Sequence, residues 1–464
     1  MADVVLVYPP YQGNAAGRSY SPLGLPYLAA VLEQAGYRVR VVDADMESRG
    51  IEDVAALVRE ETPAIVGITV LTHTLPAVYR LVGRIRELHQ CMIVIGGAHV
   101  TADPQIVADL NVPYGIRGEA EYSFLKLVEH LHGKRPDTQD IDGLISNENG
   151  KLAIKNPCFH EDITTLPLPA RHLIRTREYK YTLVFSSRGC PYRCIYCAEQ
   201  CRNVRYRNPE DVIGEIAGLN KNFGIRSIDF GDSVFTINRE HALRICSLLK
   251  EKKLPVSWSC ITRADLVDRE LLKAMKDAGC RFVSFGVESG VERIRHLGGK
   301  DISDETIKEA FKNCRDLGLR TRASILFGNP TETVEDMRAS IAFARELKPD
   351  YALFSVTQVF PGTPLFRQLE KAGRVSRTLW RDFMLGKMIS LDYLPDGVSG
   401  EDVYRVNQEA FRAFYLDTSY LKNKLLHLSD LEELKEAAFI ALAKAHIIPI
   451  RDAVGEAPHM RGEY

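Results

Sequence analysis

The sequence predicts an α/β protein: a doubly wound, Rossmann-like N-terminal domain, a partial (β/α)6 TIM barrel, and a C-terminal helical region. Three observations carry this. Short β-rich runs alternate with helical stretches over residues 1–130, the mark of a parallel sheet covered by helices. From Tyr181 six further strand candidates follow, separated by helical stretches. Beyond residue 370 the apolar residues recur at helix spacing.

Val4–Tyr8 has the pattern of a buried strand, and Pro22–Gln34 reads as a helix that stops at Gly36. Arg38–Asp43, Ile65–Val70 and Met92–Ile95 follow as strands, with a helix at Leu75–Leu88. Ligands of such sheets bind at the loops beyond the carboxyl ends of the strands. Those loops hold Leu71-Thr72-His73-Thr74, Gly96-Gly97-Ala98-His99 and Arg117-Gly118-Glu119-Ala120-Glu121. Their glycines either admit a ligand to the backbone or only turn the chain. Residues 136–178 read as a connector, with a polar turn at Asn147–Lys151 and an extended stretch around Pro167 and Pro169.

The second series has strands at Tyr181–Ser186, Ser227–Phe230, Val256–Thr262, Phe282–Val287, Thr321–Phe327 and Tyr351–Val359. Helices are expected at Asp211–Asn222, Arg239–Lys252, Arg269–Ala278, Asp304–Leu317 and Val334–Leu347. A partial barrel fits, with its chemistry at the strand carboxyl ends. A doubly wound sheet is the alternative, since periodicity does not separate the two. Val403, Val406, Ala410, Phe411 and Phe414 then form a helical packing face. The expected domains are 1–135, 136–178, 179–370 and 371–464.

The composition narrows the function. With 464 residues, 45% hydrophobic and 26% charged, the chain is not disordered. Its 60 basic and 61 acidic residues leave a net charge of −1, so no global basic field exists to hold nucleic acid. The opening Met1–Pro10 reads as a strand rather than a signal peptide, and no apolar run is long enough to span a bilayer. A cytoplasmic location is expected, where the ten cysteines are thiols or metal ligands.

Three of those cysteines stand together in Arg188-Gly189-Cys190-Pro191-Tyr192-Arg193-Cys194-Ile195-Tyr196-Cys197, directly after the first strand of the second series. Thiolates at this spacing suit an iron–sulfur cluster or zinc. Three ligands leave one iron of a 4Fe–4S cluster open to substrate, whereas zinc would recruit a fourth ligand such as Cys201. The motif resembles that of the radical S-adenosylmethionine (SAM) superfamily, and further segments match in family order.

The resemblance implies that Cys190, Cys194 and Cys197 hold the cluster, with SAM chelated to the open iron. Tyr196 lies near adenine, and Phe230-Gly231-Asp232 is the counterpart of the family's Gly–Gly–Glu contact to the SAM amino group. Arg263, in Trp258–Asp265, is a candidate SAM contact. Phe285-Gly286-Val287-Glu288-Ser289-Gly290 resembles the element whose polar residues, here Glu288 and Ser289, reach the ribose and methionine portions. Ile325–Thr333 resembles the element that packs adenine through Gly328, with Thr331 replacing a glycine. Phe360-Pro361-Gly362-Thr363-Pro364 matches a further landmark. Read singly, Asp232 could cap a helix, Arg263 could form a surface ion pair, and Glu288 could be a buried hydrogen-bonding residue.

The N-terminal domain resembles the cobalamin-binding domain that precedes the barrel in one radical SAM subclass. Pro9-Pro10, Pro22–Ala29, Gly96-Gly97-Ala98-His99 and Arg117–Glu121 carry that likeness, with Phe414-Tyr415-Leu416 late in the chain. It implies cobalamin near Thr72, Gly96, Gly97, His99, Gly118 and Glu119. The Asp-x-His-x-x-Gly motif is absent, so the cobalt is expected to have no protein histidine beneath it. The expected activity is methylation of an unactivated carbon through a 5′-deoxyadenosyl radical and methylcobalamin. The alternative is a radical cyclase, oxidoreductase or rearranging enzyme on the same scaffold. A non-catalytic carrier conflicts with the near-complete SAM-binding set. A methylthiotransferase would need several cysteines in the first domain, which has Cys91 alone. No cysteine follows Cys314 to hold an auxiliary cluster. The expected partners are a small-molecule, lipid or natural-product substrate and an electron donor such as flavodoxin or ferredoxin.

Overall fold

In a computed structural model, residues 1–11, 20–387, 391–418 and 420 are described. They group into two compact units. The first comprises Met1–Pro191, Cys197–Asp229 and Phe360–Leu391; the second comprises Tyr192–Tyr196, Phe230–Val359 and the described residues from Asp392 onward.

The first unit opens with β1 (Val4–Tyr8), α1 (Gly24–Gln34), β2 (Val39–Asp43), α2 (Ile51–Glu61), β3 (Ile65–Thr69), α3 (Leu75–Leu88) and β4 (Met92–Gly96). The short helices α4 (Ala98–Ala102) and α5 (Ile106–Asp109), β5 (Tyr114–Ile116) and α6 (Glu121–Leu131) follow. β1 is apolar and buried along its length, as a parallel strand covered on both faces must be. Strands β1 to β5 run parallel in the order β2-β1-β3-β4-β5. The order reverses between β1 and β3, and the crevice at that switch is where doubly wound sheets bind ligands.

Part of the expected connector belongs to this sheet. β6 (Leu144–Glu148) and β7 (Lys151–Ile154) pair antiparallel beyond β5. Leu144 and Ile145 bury their side chains, while β7 is a largely exposed edge. A hairpin this short and half apolar leaves too little alternation to stand out from a connector. Three short strands follow: β8 (Thr182–Val184), β9 (Ser187–Arg188) and β10 (Arg205–Tyr206). α7 (Pro209–Phe223) leads to β11 (Ser227–Phe230), which lies beside β8. Asn208 caps α7 by accepting from the Glu210 N–H, Pro209 occupies its first turn, and Gly224 ends it.

The second unit continues through α8 (Arg239–Glu251), β12 (Ser257–Thr262), α9 (Arg269–Asp277), β13 (Cys280–Glu288), α10 (Glu292–Leu297) and α11 (Asp304–Asp316). β14 (Arg320–Phe327), α12 (Val334–Leu347) and β15 (Tyr351–Val356) complete the alternation. β12 to β15 are parallel and consecutive neighbours, the layout expected of strand-helix units. α12 starts in a capping box in which Thr333 and Asp336 satisfy each other's backbone N–H groups.

Of the helices after β15, α13 (Pro364–Lys371) lies almost wholly ahead of the expected boundary at 371, and it and α14 (Thr378–Met384), which falls within the expected 371–464 domain, belong to the first unit. Arg377 bridges Asp103 and Asp109 at 2.9 Å and 2.5 Å, and Trp380 packs edge-on against His99. α15 (Gly400–Tyr415) belongs to the second unit and buries Val403, Val406, Ala410 and Phe414 as the spacing predicts, with Phe411 half-buried. Tyr415 fixes it there, its hydroxyl donating to the Ala352 carbonyl at 2.7 Å. Residues 421–464 lie outside the described residues.

Candidate functional site

The loop that carries the cysteines is closed at its base within the first unit. β9 and β10 form a two-residue antiparallel ladder with Arg188 opposite Arg205. Cys190 donates its backbone N–H to the Cys201 carbonyl at 3.0 Å. A Cβ on Gly189, where φ is +93°, would lie 2.4 Å from the Asn203 carbonyl oxygen, so only glycine admits this closure. The Cys201 thiol donates to the same Asn203 carbonyl at 3.3 Å, and burial pushes that thiol up, so it stays protonated. Cys190, Cys194 and Cys197 form no disulfide, and Cys190 is buried while the other two are half-buried. Cys197 accepts the Glu199 N–H at 3.4 Å. Among the described residues no three His, Cys, Asp or Glu side chains are set to hold a single metal ion. Cluster thiolates bind separate irons, so a three-thiol donor set fits a cluster on chemistry rather than on closeness.

The predicted residues of the first sheet lie at the carboxyl ends of β3, β4 and β5, and Thr72, after β3, is the one in a loop at the switch point. Thr72 Oγ1 lies 3.0 Å from His99 Nδ1, both buried. Burial, helped by Arg377, pushes His99 down to about 3, so it is neutral, and its Nε2 has no hydrogen-bond partner, with Asp103 Oδ2 4.0 Å away. Tyr11 meets His73 edge to face at 4.8 Å and donates its backbone N–H to the Asp45 carboxylate at 2.7 Å. A Cβ on Gly97 would lie 2.9 Å from both Thr69 Oγ1 and the Val70 carbonyl, and one on Gly118 would lie 1.9 Å from the Cys158 carbonyl. Protein packing therefore requires both glycines. At Gly96 the nearest atom to such a Cβ would be 3.6 Å away, an ordinary contact. The Glu119 carboxylate is occupied by protein: it accepts from Arg205 at 2.7 Å and His160 N at 2.8 Å, with Arg188 at 3.5 Å.

The second unit presents the barrel-strand candidates at carboxyl ends. Arg263, buried after β12, pairs through Nε and Nη2 with Asp265 at 2.9 Å and stacks over Tyr192 at 3.7 Å. Its Nη1 is buried without a partner, a donor held ready for an anionic group. The register of β13 against β14 slips between Gly286 and Glu288, a bulge that re-aims the strand end. Glu288 takes φ +68° there and accepts from buried Lys300 at 2.9 Å. Gly286 leaves the space for this pair, since a Cβ would lie 2.2 Å from Glu288 Oε1 and 2.6 Å from Lys300 Nζ.

Ser289 spends its hydroxyl inside the protein, 3.1 Å from Ser340 Oγ and accepting from the Val291 N–H. Gly328, at φ +81°, passes close to the Tyr393 carbonyl. Thr331 keeps the left-handed backbone of the glycine it replaces, at φ +64°, and its Oγ1 accepts from Arg293 at 2.8 Å. Next to it Glu332 is buried, with Oε2 accepting from Asn329 N and Oε1 unpartnered; burial pushes it up to about 7. Tyr196 is half-buried, and Ile195 beside it donates its N–H to the Gly298 carbonyl at 3.1 Å. Asp232 is buried beyond β11, next to half-buried Gly231.

Lys300, Arg293, Tyr192, Arg188, Arg205 and His160 join these groups although none was among the candidate residues. Arg188 and Tyr192 carry a sequence signal in flanking the first cysteine. The other four act through partners distant in the chain.

Known proteins are similar to this chain in domain content and fold. The family model described as the radical SAM superfamily matches residues 184–344, and that described as the B12 binding domain matches residues 13–128. An uncharacterized methyltransferase of Pyrococcus horikoshii is 30% identical over 429 residues, covering 89% of this chain and 92% of its own. Cytidylyl-2-hydroxyethylphosphonate methyltransferase of Streptomyces wedmorensis is 27% identical over 445 residues, covering 81% of this chain and 83% of its own. The anaerobic magnesium-protoporphyrin IX monomethyl ester cyclase of Rubrivivax gelatinosus is 27% identical over 444 residues, covering 90% and 78%. Among solved structures, the radical SAM methyltransferase TsrM of Kitasatospora setae, with cobalamin and a 4Fe–4S cluster bound, superposes with a TM-score of 0.74 at 19% identity, covering 98% of this chain and 100% of its own. OxsB, a cobalamin-dependent SAM radical enzyme, superposes at 0.75 with 16% identity, covering 96% and 71%. No described helix is long and apolar enough to cross a membrane. A B12 binding domain ahead of a radical SAM domain, in a fold shared along nearly its whole length, makes this chain a member of the cobalamin-dependent radical SAM enzymes.

Proposed function

We propose that this enzyme methylates an unactivated carbon of a small molecule, with lipids and natural products as the substrate class. One observation carries the reading: a 2-1-3-4-5 sheet of the B12-binding type and a three-thiol loop after the first strand of a radical SAM domain occur in one chain. When bound, the cluster and SAM supply a radical that removes hydrogen from carbon, and cobalamin supplies a methyl group.

The chain's own residues supply positioning. Cys190, Cys194 and Cys197 hold the cluster, while Cys201, bonded as a thiol to Asn203, stays outside it. Arg263 offers its unspent Nη1 to the SAM carboxylate. Glu288, fixed by Lys300, accepts hydrogen bonds from SAM, and Asp232 faces its amino group. Ser289 and Gly328 would contribute backbone only, and Tyr196 would serve the adenine. Thr72, Gly96 and His99 would line the cobalamin crevice, with His99 held through Nδ1 by Thr72, and the chain lacks the Asp-x-His-x-x-Gly motif that would supply a histidine ligand. The electron arrives from a flavodoxin- or ferredoxin-type donor.

A second reading, radical cyclisation or oxidation, is favoured by the likeness to the Rubrivivax cyclase. Anaerobic reconstitution with iron, sulfide and hydroxocobalamin, then metabolite profiling with methyl-deuterated SAM, separates the two. A product that carries the labelled methyl group supports methylation. A product that has lost hydrogen without gaining the label supports the cyclase reading.

A further inference from the structure

Five ionic side chains from four separated stretches of chain meet at the ladder that closes the cysteine loop, all within the first unit. Glu121 accepts from Arg188 at 2.8 Å and lies 3.1 Å from His160 Nε2. Glu119 joins Arg205, Arg188 and the backbone N–H of His160, and the His160 carbonyl accepts from Arg205 at 2.7 Å. Arg188 also lies over the Tyr27 ring, 4.8 Å from its centroid. The two arginines face each other across β9 and β10, so without the carboxylates the ladder would set like charge against like. The chain of bonds reaches the cysteines directly. Arg205 Nε donates to the Asn203 carbonyl, which also receives the Cys201 thiol, and the Cys201 carbonyl holds Cys190 N.

We propose that Glu119, in the loop after β5, and Glu121, the first residue of α6, are positioning residues for the iron–sulfur cluster: by clamping Arg188 and Arg205 they fix the ladder from which Cys190 is presented. Glu119 then serves the cluster loop rather than the corrin ring. The first domain thus contributes to the cluster as well as to its own ligand, and the two carboxylates are needed even when no cobalamin is bound. This rests on the reading of Cys190, Cys194 and Cys197 as cluster ligands.

The test uses full-length protein reconstituted anaerobically with iron and sulfide and without cobalamin. Glu119→Gln, Glu121→Gln and the double variant keep size and remove charge; Arg188→Lys keeps charge and loses the forked geometry. Circular dichroism melts establish that each variant is folded. Iron content, the rate of iron loss to a chelator and the EPR spectrum of the reduced cluster are then compared. The double variant should release iron about tenfold faster than wild type, as expected for breaking a buried ionic cluster. It should also show a shifted or broadened EPR signal, which a remote structural defect would not produce. The Arg188→Lys variant should fall between the two. If the double variant does not fold, Glu119→Gln alone decides by the same readouts. Wild-type release rates and spectra in folded carboxylate variants would overturn the proposal. A wild-type protein that assembles no cluster would overturn the cysteine reading on which it rests.

Discussion

Glu288 combines three features that rarely occur together away from a working site: a bulge, a positive φ and a buried lysine partner. Removing the lysine strands a carboxylate, so Lys300→Met should cost about 3–5 kcal/mol in urea unfolding. The double variant Glu288→Gln/Lys300→Met should recover most of that; equal losses in both would show that the pair is not coupled. Thr331 stores strain in the opposite sense, since glycine is the residue its φ of +64° favours. Thr331→Gly should leave stability unchanged or raise it by up to about 1 kcal/mol, the lost Arg293 bond offsetting part of the relief. A loss larger than this would contradict the assignment of strain.

His160 gives the residue scale a pH signature. Burial opposes its charge, but the bonds to Cys158 and Glu121 and the charges of Glu121 and Glu119 outweigh burial and raise it from 6.5 to about 9. The folded state therefore holds a proton that the unfolded chain releases above 6.5. The stabilisation is complete below about 6.5 and is lost as the pH rises through about 9. Urea midpoints measured across that range should fall for wild type, and His160→Gln should flatten the fall. A flat wild-type profile would mean that the histidine is not held charged. The Glu288–Lys300 and Glu121–His160 pairs were not legible in the sequence, because side chains 12 and 39 positions apart meet only after folding.

Elements were legible where a run was long and strongly patterned. β1, β11, α3 and α12 have the predicted bounds, and the barrel strands differ at their ends by a few residues. The β6–β7 hairpin and the β9–β10 ladder were not, since a few residues with one buried face show no period. The missed ladder matters most, because it turns Arg-Gly-Cys from a motif into a closed loop. At this scale the account predicts that Cys190→Ala, Cys194→Ala and Cys197→Ala each abolish the reduced-cluster EPR signal and SAM cleavage. Cys201→Ala should keep both, its thiol being a donor to Asn203. Loss of the cluster in Cys201→Ala alone would instead indicate a four-cysteine site.

For the whole molecule, the order of motifs along the chain was enough to indicate the family, and the comparisons agree with it. Substrate identity was not legible, because it depends on shape rather than on any single motif. Residues 371–464 were read as one helical domain, but the described part contributes α14 to one unit and α15 to the other. Trp380 against His99 and Arg377 on Asp103 and Asp109 tie α14 to the first unit, and no local pattern announces such long-range contacts. The central claim is that one chain joins radical SAM cleavage to methyl transfer. Its most direct test is a single quantified incubation of reconstituted enzyme, reductant and methyl-deuterated SAM with a small-molecule extract. The account predicts 5′-deoxyadenosine and S-adenosylhomocysteine appearing together with a product that carries the labelled methyl group. 5′-Deoxyadenosine accompanied by a converted but unlabelled product, with no S-adenosylhomocysteine, would contradict it.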